Sequence, residues 1–250
     1  MSREITVKEA ARFNRQILMP DFDIERQEVL LASKVLIVGM GGLGCACAQY
    51  LVGSGIGTLT LTDDDKVEES NLHRQVLHHE SDIGKDKVTS AQETLLSMNA
   101  NVKINSMSKR LSQTELTEVA AAHDLIVDCS DNLATRNSVN QASIETRTPL
   151  VSGAAIRMDG QISCFDPRVP DSPCYVCLSR LFEEQNLSCV ESGVMSPLVG
   201  VIGSIQAMET IKMLTDYGEP AIGKLMIYQA KNACWQQLTL KKDPSCPVCS

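Results

Sequence analysis

The sequence predicts an α/β protein built on a doubly wound sheet, parallel in its N-terminal half and carrying antiparallel strands in its C-terminal half. Three observations predict it. Short apolar, β-branched runs alternate with helically spaced segments from residue 35 to about residue 154, the pattern of strands covered on both faces by crossover helices. The first run, Val35-Leu36-Ile37-Val38, passes directly into Gly39-Met40-Gly41-Gly42-Leu43-Gly44. After Gly153 the alternation gives way to strand-like stretches at 161–165, 224–228 and 235–240, set around one long apolar helix near 198–214.

The elements are justified in chain order. Phe13, Ile17 and Leu18 have helical spacing within residues 8–19, and a second short helix is expected over 25–32. Strand 35–38 then leads through the glycines to a helix over 43–53 and a second strand at 59–62. Helix 87–98, strand 102–107, helix 114–121, strand 125–129, helix 135–145 and strand 150–154 continue the alternation. Ser112 with Glu115 has the spacing of a capping box for the helix at 114. Residues 179–196 are polar and lack periodicity, which predicts a mobile crossover loop or lid. No Pro/Gly/Ser-rich linker divides the chain, so residues 1–250 are expected to form one domain, with a nucleotide-binding half at 35–150 and a second half at 151–250.

A net charge of −8 without any basic run excludes nucleic acid and anionic membrane as main partners, since both reward clustered Lys and Arg. The apolar stretches are too short for a bilayer and Met1-Ser2-Arg3-Glu4 is no signal peptide, so a cytoplasmic protein is expected.

The glycine run fits G-x-G-x-x-G, the Rossmann-like arrangement in which glycines let backbone approach phosphate at a helix N-terminus. Asp63 ends the second strand, where a carboxylate can accept the ribose hydroxyls. A dehydrogenase has no use for the stretch after it. Asp63-Asp64-Asp65, Ser70-Asn71-Leu72-His73-Arg74-Gln75 and then Lys85 and Lys87 place cations near the nucleotide. Arg74 and Lys87 suit a polyphosphate being cleaved, because both can neutralise non-bridging oxygens as a leaving group forms. ATP is therefore preferred to NAD, and an NAD-dependent oxidoreductase is the more distant alternative. Asp131, just beyond strand 125–129, belongs at the same crevice by the rule that such sheets bind ligands at the carboxyl ends of their strands. A carboxylate there can hold Mg²⁺ beside a triphosphate, or it can simply cap the next helix.

Ten cysteines without an export signal point to thiols or metal ligation rather than disulfides. Cys174-x-x-Cys177 and Cys246-x-x-Cys249 can each supply one edge of a tetrahedral Zn²⁺ site, tying the C-terminal tail to a mid-chain loop in a structural role; unligated thiols and a redox pair are the alternatives. Cys45, Cys47, Cys129, Cys164 and Cys234 read as small buried residues. His73, His78, His79 and His123 have no metal spacing and read as surface or loop residues.

Together, Arg12-x-Asn14-Arg15-Gln16, Gly39-x-Gly41-Gly42-x-Gly44, Asp63-x-Asp65, Ser70-Asn71-Leu72-x-Arg74-Gln75, Lys87, Asp128-x-x-Asp131-Asn132 and both cysteine pairs resemble the MoeB/ThiF family of the ubiquitin-activating-enzyme superfamily, in the family's order and over almost the whole chain. Ser152 to Gln161 looks more like the molybdopterin branch than the thiamine branch. The resemblance implies ATP-dependent adenylylation of the C-terminal Gly-Gly carboxylate of a small ubiquitin-fold carrier, the MoaD-like small subunit of molybdopterin synthase, in molybdenum cofactor biosynthesis. It implies a nucleotide site made of Gly39, Gly41, Gly42, Asp63, Asp65, Ser70, Asn71, Leu72, His73, Arg74, Lys87, Asp131 and Asn132, with Asp131 positioning Mg²⁺. Asp131, Arg74 and Lys87 would carry the chemistry together with Arg15, supplied across a homodimer interface, and the half at 151–250 would receive the carrier. Cys189 aligns with the cysteine that ThiF-type enzymes use as a nucleophile, which makes a thiamine sulfur carrier with a relay at Cys189 the nearer alternative.

Overall fold

Continuous apolar runs become inner strands because both of their faces are covered. The computed structural model describes residues 3–181 and 193–250. Three short helices, α1 (Val7–Arg12), α2 (Asn14–Ile17) and α3 (Asp23–Ala32), precede β1 (Lys34–Val38). The alternation then runs α4 (Gly42–Ser54), β2 (Thr58–Thr62), α5 (Lys87–Met98), β3 (Lys103–Met107), α6 (Gln113–Ala121), β4 (Leu125–Asp128), α7 (Leu133–Thr146) and β5 (Leu150–Ile156). A hairpin to β6 (Asp159–Phe165), the short α8 (Tyr175–Ser179), the long α9 (Ser196–Thr215) and a final pair, β7 (Lys224–Gln229) and β8 (Cys234–Thr239), complete the described fold.

The strands form one eight-stranded sheet in the order β3-β2-β1-β4-β5-β6-β7-β8. Pairings from β3 through β5 are parallel, and those from β5 through β8 antiparallel. Alternate residues of each inner strand enter opposite cores, as the two-residue period demands. Val35, Ile37, Leu59, Leu61 and Val127 pack with α4, α5 and α9 on one face. Leu36, Val38, Ile126 and Leu150 pack with α6 and α7 on the other. The chain leaves β1 in one direction toward β3 and returns to β1's other side at β4, so the crevice between the carboxyl ends of β1 and β4 is the switch point where such sheets take ligands.

The Ser112–Glu115 capping box is present, with the Ser112 side chain accepting from the Glu115 N–H. Cys234 differs from its sequence reading: it is half-buried, because it starts the edge strand β8, which has a neighbour on one side only. His78 differs more. It is buried beneath the glycine loop, where a 3₁₀ turn at Glu80–Asp82 folds its segment back under α5.

Asp82 closes that turn. Its carboxylate accepts from Lys85 Nζ at 2.8 Å, the His79 N–H at 3.0 Å and Ser90 Oγ at 3.0 Å. The Lys85 bond, with those from His79 and Ser90, outweighs burial and holds the Asp82 carboxyl down to about 2. Because the folded value lies below the ordinary one of about 3.9, the stabilisation is complete above about pH 4 and is lost as pH falls toward 2. Acid titration of Asp82→Asn followed by circular dichroism is expected to show a smaller loss of stability than wild type across this window; parallel curves would remove Asp82 from the acid limb.

Candidate nucleotide site and cysteine centre

The glycine loop is shaped by what lies behind it. Gly39 has φ of +95°, and a Cβ there would lie 2.9 Å from the Cys129 carbonyl oxygen. A Cβ at Gly44 would lie 1.9 Å from the Gly39 carbonyl oxygen, so α4 can begin immediately under the loop only with glycine. Gly42 serves helix packing as well, since its Cβ would meet Val199 of α9 at 2.6 Å. Among the described residues Gly41 has only the Gln75 amide nitrogen near its Cβ position, at 3.8 Å, and so borders the crevice.

Asp63 is fixed by two backbone donors, the Met40 N–H at 2.6 Å and the Asp65 N–H at 2.8 Å. It therefore braces the glycine loop as well as ending β2. Burial raises the Asp63 carboxyl above its ordinary value, against the pull of Lys87 and both N–H donors. Lys87 is buried at the start of α5 and its ammonium lies 2.7 Å from Asp65, which is 67% exposed. The pair leaves the charge of Lys87 reachable from the crevice through a partner that solvent can free.

The segment Glu69–Asn71 forms a 3₁₀ turn, and Leu72 follows as its cap. Asn71 is buried with its amide donating to Ser70 Oγ at 3.3 Å. Arg74 curls back to the Ser70 carbonyl at 3.0 Å and to His73 Nε2 at 2.8 Å, so His73 accepts there. Ser196 at the start of α9 donates to the His73 carbonyl, which couples that helix to this segment. Gln75 has no role assigned by sequence. Its buried Oε1 has no hydrogen-bond partner among the described residues, and its amide lies beside Gly41. An unpaired buried carboxamide oxygen at a glycine loop fits a polar ligand, because leaving it unmet is costly.

Asp131 is exposed, two residues beyond the Cys129 backbone against which Gly39 rests. The cap of α7 is Asn132, whose side chain accepts from the Thr135 N–H at 2.9 Å. Capping therefore does not explain Asp131. A buried network behind it holds the turn. Arg136 donates to Asp128 at 3.3 Å, Ser152 Oγ at 3.2 Å, the Gly153 carbonyl at 2.9 Å and the Ser130 carbonyl. Ser152 Oγ donates to Asp128 at 2.9 Å, and the Gln206 amide to the Asp128 carbonyl at 2.8 Å. Arg136 escapes a reading of the sequence because nothing in a helix over 133–146 marks its one cation as turning inward.

Arg15 lies away from the glycine loop. It is exposed on α2, and the adjacent Gln16 bonds the Ser54 carbonyl at the far end of α4 from the glycine loop. That helix has 13 residues, about 20 Å at 1.5 Å per residue. Arg15 cannot reach the crevice of its own chain. Cys189 lies outside the described residues.

The four sulfurs of Cys174, Cys177, Cys246 and Cys249 converge within 4.8 Å of one another. The separations are 3.9 Å for Cys174–Cys177, 3.7 Å for Cys174–Cys246 and 3.5 Å for Cys177–Cys249. Metal–sulfur bonds of about 2.3 Å at tetrahedral angles give edges of about 3.8 Å, so the set fits a closed four-cysteine zinc site. The Asp243 N–H donates to Cys177 Sγ at 3.4 Å, an outer bond of the kind that supports a thiolate ligand.

No helix among the described residues is long and apolar enough to cross a membrane. The ThiF family matches residues 13–248. The molybdopterin-synthase adenylyltransferase of Escherichia coli (strain K12) is 50% identical over 246 residues, 98% of each chain. The sulfur carrier protein ThiS adenylyltransferase of the same organism is 40% identical over 238 residues, 95% of this chain and 94% of that one. The crystal structure of Escherichia coli MccB with ATP superposes with a TM-score of 0.79 at 25% identity, covering 90% of this chain and 69% of that one. With this match across nearly its full length, and with a glycine loop, cation-bearing turn and four-cysteine cluster on one doubly wound sheet, the chain belongs to the ThiF family.

Proposed function

We propose that this chain is an adenylyltransferase that uses ATP to activate the C-terminal Gly-Gly carboxylate of a small ubiquitin-fold sulfur carrier, the small subunit of molybdopterin synthase, in the cytoplasm. The observation that carries it is a glycine loop at the β1/β4 switch point, braced by Asp63 through the Met40 N–H, in a chain 50% identical to a molybdopterin-synthase adenylyltransferase. A carboxylate oxygen of the carrier attacks the α-phosphorus, the bond from that phosphorus to the β-phosphate oxygen breaks, and pyrophosphate leaves with the electron pair. The nucleophile is already an anion, so no general base is needed; alignment and charge neutralisation do the work. Asp63 would accept from ribose, Arg74 and Lys87 would neutralise phosphate oxygens, and Asn71 would donate to them. Lys87 must exchange Asp65 for phosphate to do so. Asp131, exposed and free of capping duty, offers the hard oxygen ligand that Mg²⁺ prefers. Magnesium would supply charge neutralisation on the departing phosphates. Arg15 would act in the site of a second copy, which makes the homodimer the active unit.

The 40% identity to a ThiS adenylyltransferase favours one second reading, the same reaction on the thiamine sulfur carrier with Cys189 in a relay. ATP–pyrophosphate exchange with each carrier in turn separates the two. Exchange with the molybdopterin-synthase small subunit alone is expected. Exchange with the thiamine carrier alone, together with loss of thiamine complementation in Cys189→Ala, would install the second reading. Exchange with neither would sink both.

Zinc is proposed for the four-cysteine cluster, in a structural role. The cluster packs as its own small core of Cys174, Cys177 and Cys246, apart from the two cores that flank the sheet. Removing the metal is therefore expected to release the tail without unfolding the sheet. Elemental analysis is expected to find one zinc per chain, and chelation under reducing conditions to speed tryptic cleavage after Lys241 and Lys242 while ATP binding persists. Protein purified without chelator that carries no zinc would overturn this assignment.

A further inference from the structure

The ammonium assigned to the phosphates is held by a carboxylate of its own chain. Lys87 Nζ donates to Asp65 Oδ2 at 2.7 Å, and the two side chains differ in exposure, 7% for Lys87 against 67% for Asp65. A buried ammonium needs a close anion, because taking a lone charge out of water is costly. Asp63 is committed elsewhere: one of its oxygens accepts from the Asp65 N–H at 2.8 Å and the other from the Met40 N–H at 2.6 Å.

The backbone around the pair is fixed independently of it. The Lys87 N–H donates to the Asp65 carbonyl at 3.0 Å, the Val67 N–H to the Lys85 carbonyl at 2.9 Å and the Gly84 N–H to the Val67 carbonyl at 2.9 Å. These bonds zip segment 65–67 to segment 84–87, so the ammonium can leave the carboxylate without any shift of α5. Asp65 stands mostly in solvent, so its carboxylate is rehydrated at little cost when it is released. A phosphate oxygen offers Lys87 the same contact that Asp65 does, an anionic acceptor for a charge-assisted hydrogen bond.

We propose that Asp65 is a positioning residue that acts through Lys87 as its exchange counter-ion: it holds the ammonium between turnovers, competes with ATP for it, and takes it back as pyrophosphate leaves. The inference rests on the reading of the glycine loop as a nucleotide site. Recapture keeps the departing pyrophosphate from stranding a buried cation, so Asp65 weakens the hold on both nucleotide and product. The effect runs through one ion pair and not through the diffuse repulsion that any nearby carboxylate exerts on a polyanion. Asp64 separates the two. Its carboxylate lies within 4.8 Å of those of Asp63 and Asp65, while the ion pair of Lys87 is made by Asp65.

The test compares wild type, Asp65→Asn and Asp64→Asn. The Kd for ATP is read by calorimetry with magnesium present, and the inhibition constant of pyrophosphate from adenylate formation with the carrier. Asparagine keeps the size of aspartate and its backbone bonds while removing the charge. In Asp65→Asn both constants are expected to fall about threefold to tenfold, the scale of one competing hydrogen bond to a charged group. In Asp64→Asn they are expected to stay within about twofold, since solvent and salt screen an exposed charge. A folded Asp65→Asn that binds ATP as wild type does, or more weakly, overturns the proposal; weaker binding would mean that Asp65 itself contacts the nucleotide or its metal. Equal tightening in both variants overturns it too, because diffuse charge would then account for the change. Should Asp65→Asn not fold, Asp65→Ser removes the same carboxylate and is read in the same way. Wild type that binds no ATP would instead remove the reading of the loop as a nucleotide site.

Discussion

Replacing Asp131 by alanine is expected to lower adenylate formation on the order of a hundredfold to a thousandfold, the range seen when one preorganised charge-stabilising group is lost. The protein is expected to stay folded. Asp131 is exposed, and the cap of α7 that a carboxylate at such a turn would often supply is supplied by Asn132. Thermal melts of Asp131→Ala should therefore overlay wild type, whereas pyrophosphate exchange should collapse. Near-normal exchange would remove Asp131 from the mechanism. The same variant tests the dimer. Arg15 lies at the far end of α4 from its own glycine loop, so a site built from Asp131 of one chain and Arg15 of another can be reassembled by mixing. Arg15→Ala and Asp131→Ala chains, each inactive, are expected to regain exchange when they share a dimer, because one of the two sites then has both residues. Mixtures that form dimers yet stay inactive would place Arg15 outside the reaction.

Arg136→Leu is expected to have the largest effect on stability. Its guanidinium is 9% exposed and the Asp128 carboxylate it meets 1%. Removing one partner of a buried pair strands the other, a cost of about 3–5 kcal/mol. For a chain of this size that corresponds to a fall in Tm of roughly 6–20 °C. Arg136 also holds the carbonyls of Ser130 and Gly153, so the turn bearing Asp131 loses its anchor at the same time. Activity per folded molecule should fall with stability. A melt within about 2 °C of wild type would mean that Ser130 and Ser152 satisfy the Asp128 carboxylate unaided, against the cost assigned to a stranded buried charge.

Much of the fold is legible along the chain because its signals are local. The runs around Val35, Leu59, Leu125 and Leu150 announce parallel strands through continuous apolar residues, which is what burial on both faces requires. The start of α5 at Lys87 and the capping box at Ser112 depend on residues a few positions apart. The two C-x-x-C pairs show by spacing alone that they could serve a metal, although only folding brings Cys177 within 3.5 Å of Cys249.

The features that sequence leaves hidden depend on partners far along the chain. A histidine next to another histidine reads as surface, yet His78 turns inward, with its ring nitrogens against Ser90 Oγ and the Met40 carbonyl. Arg136 turns inward because Asp128, Ser130 and Gly153 surround it. Gln75 is aimed at Gly41 by a turn whose course no periodicity predicts. The α/β alternation, the glycine loop, the acidic and basic groups available to a nucleotide and the tetrad of thiols can all be read from residue type and short spacing. Folding in three dimensions was needed to place β4 beside β1, to make Asn132 rather than Asp131 the cap of α7, and to put Arg15 beyond its own chain's site. Strand order, side-chain orientation and the pairing of buried charges are set by contacts across the sheet, and their free energy is fixed only when distant segments meet.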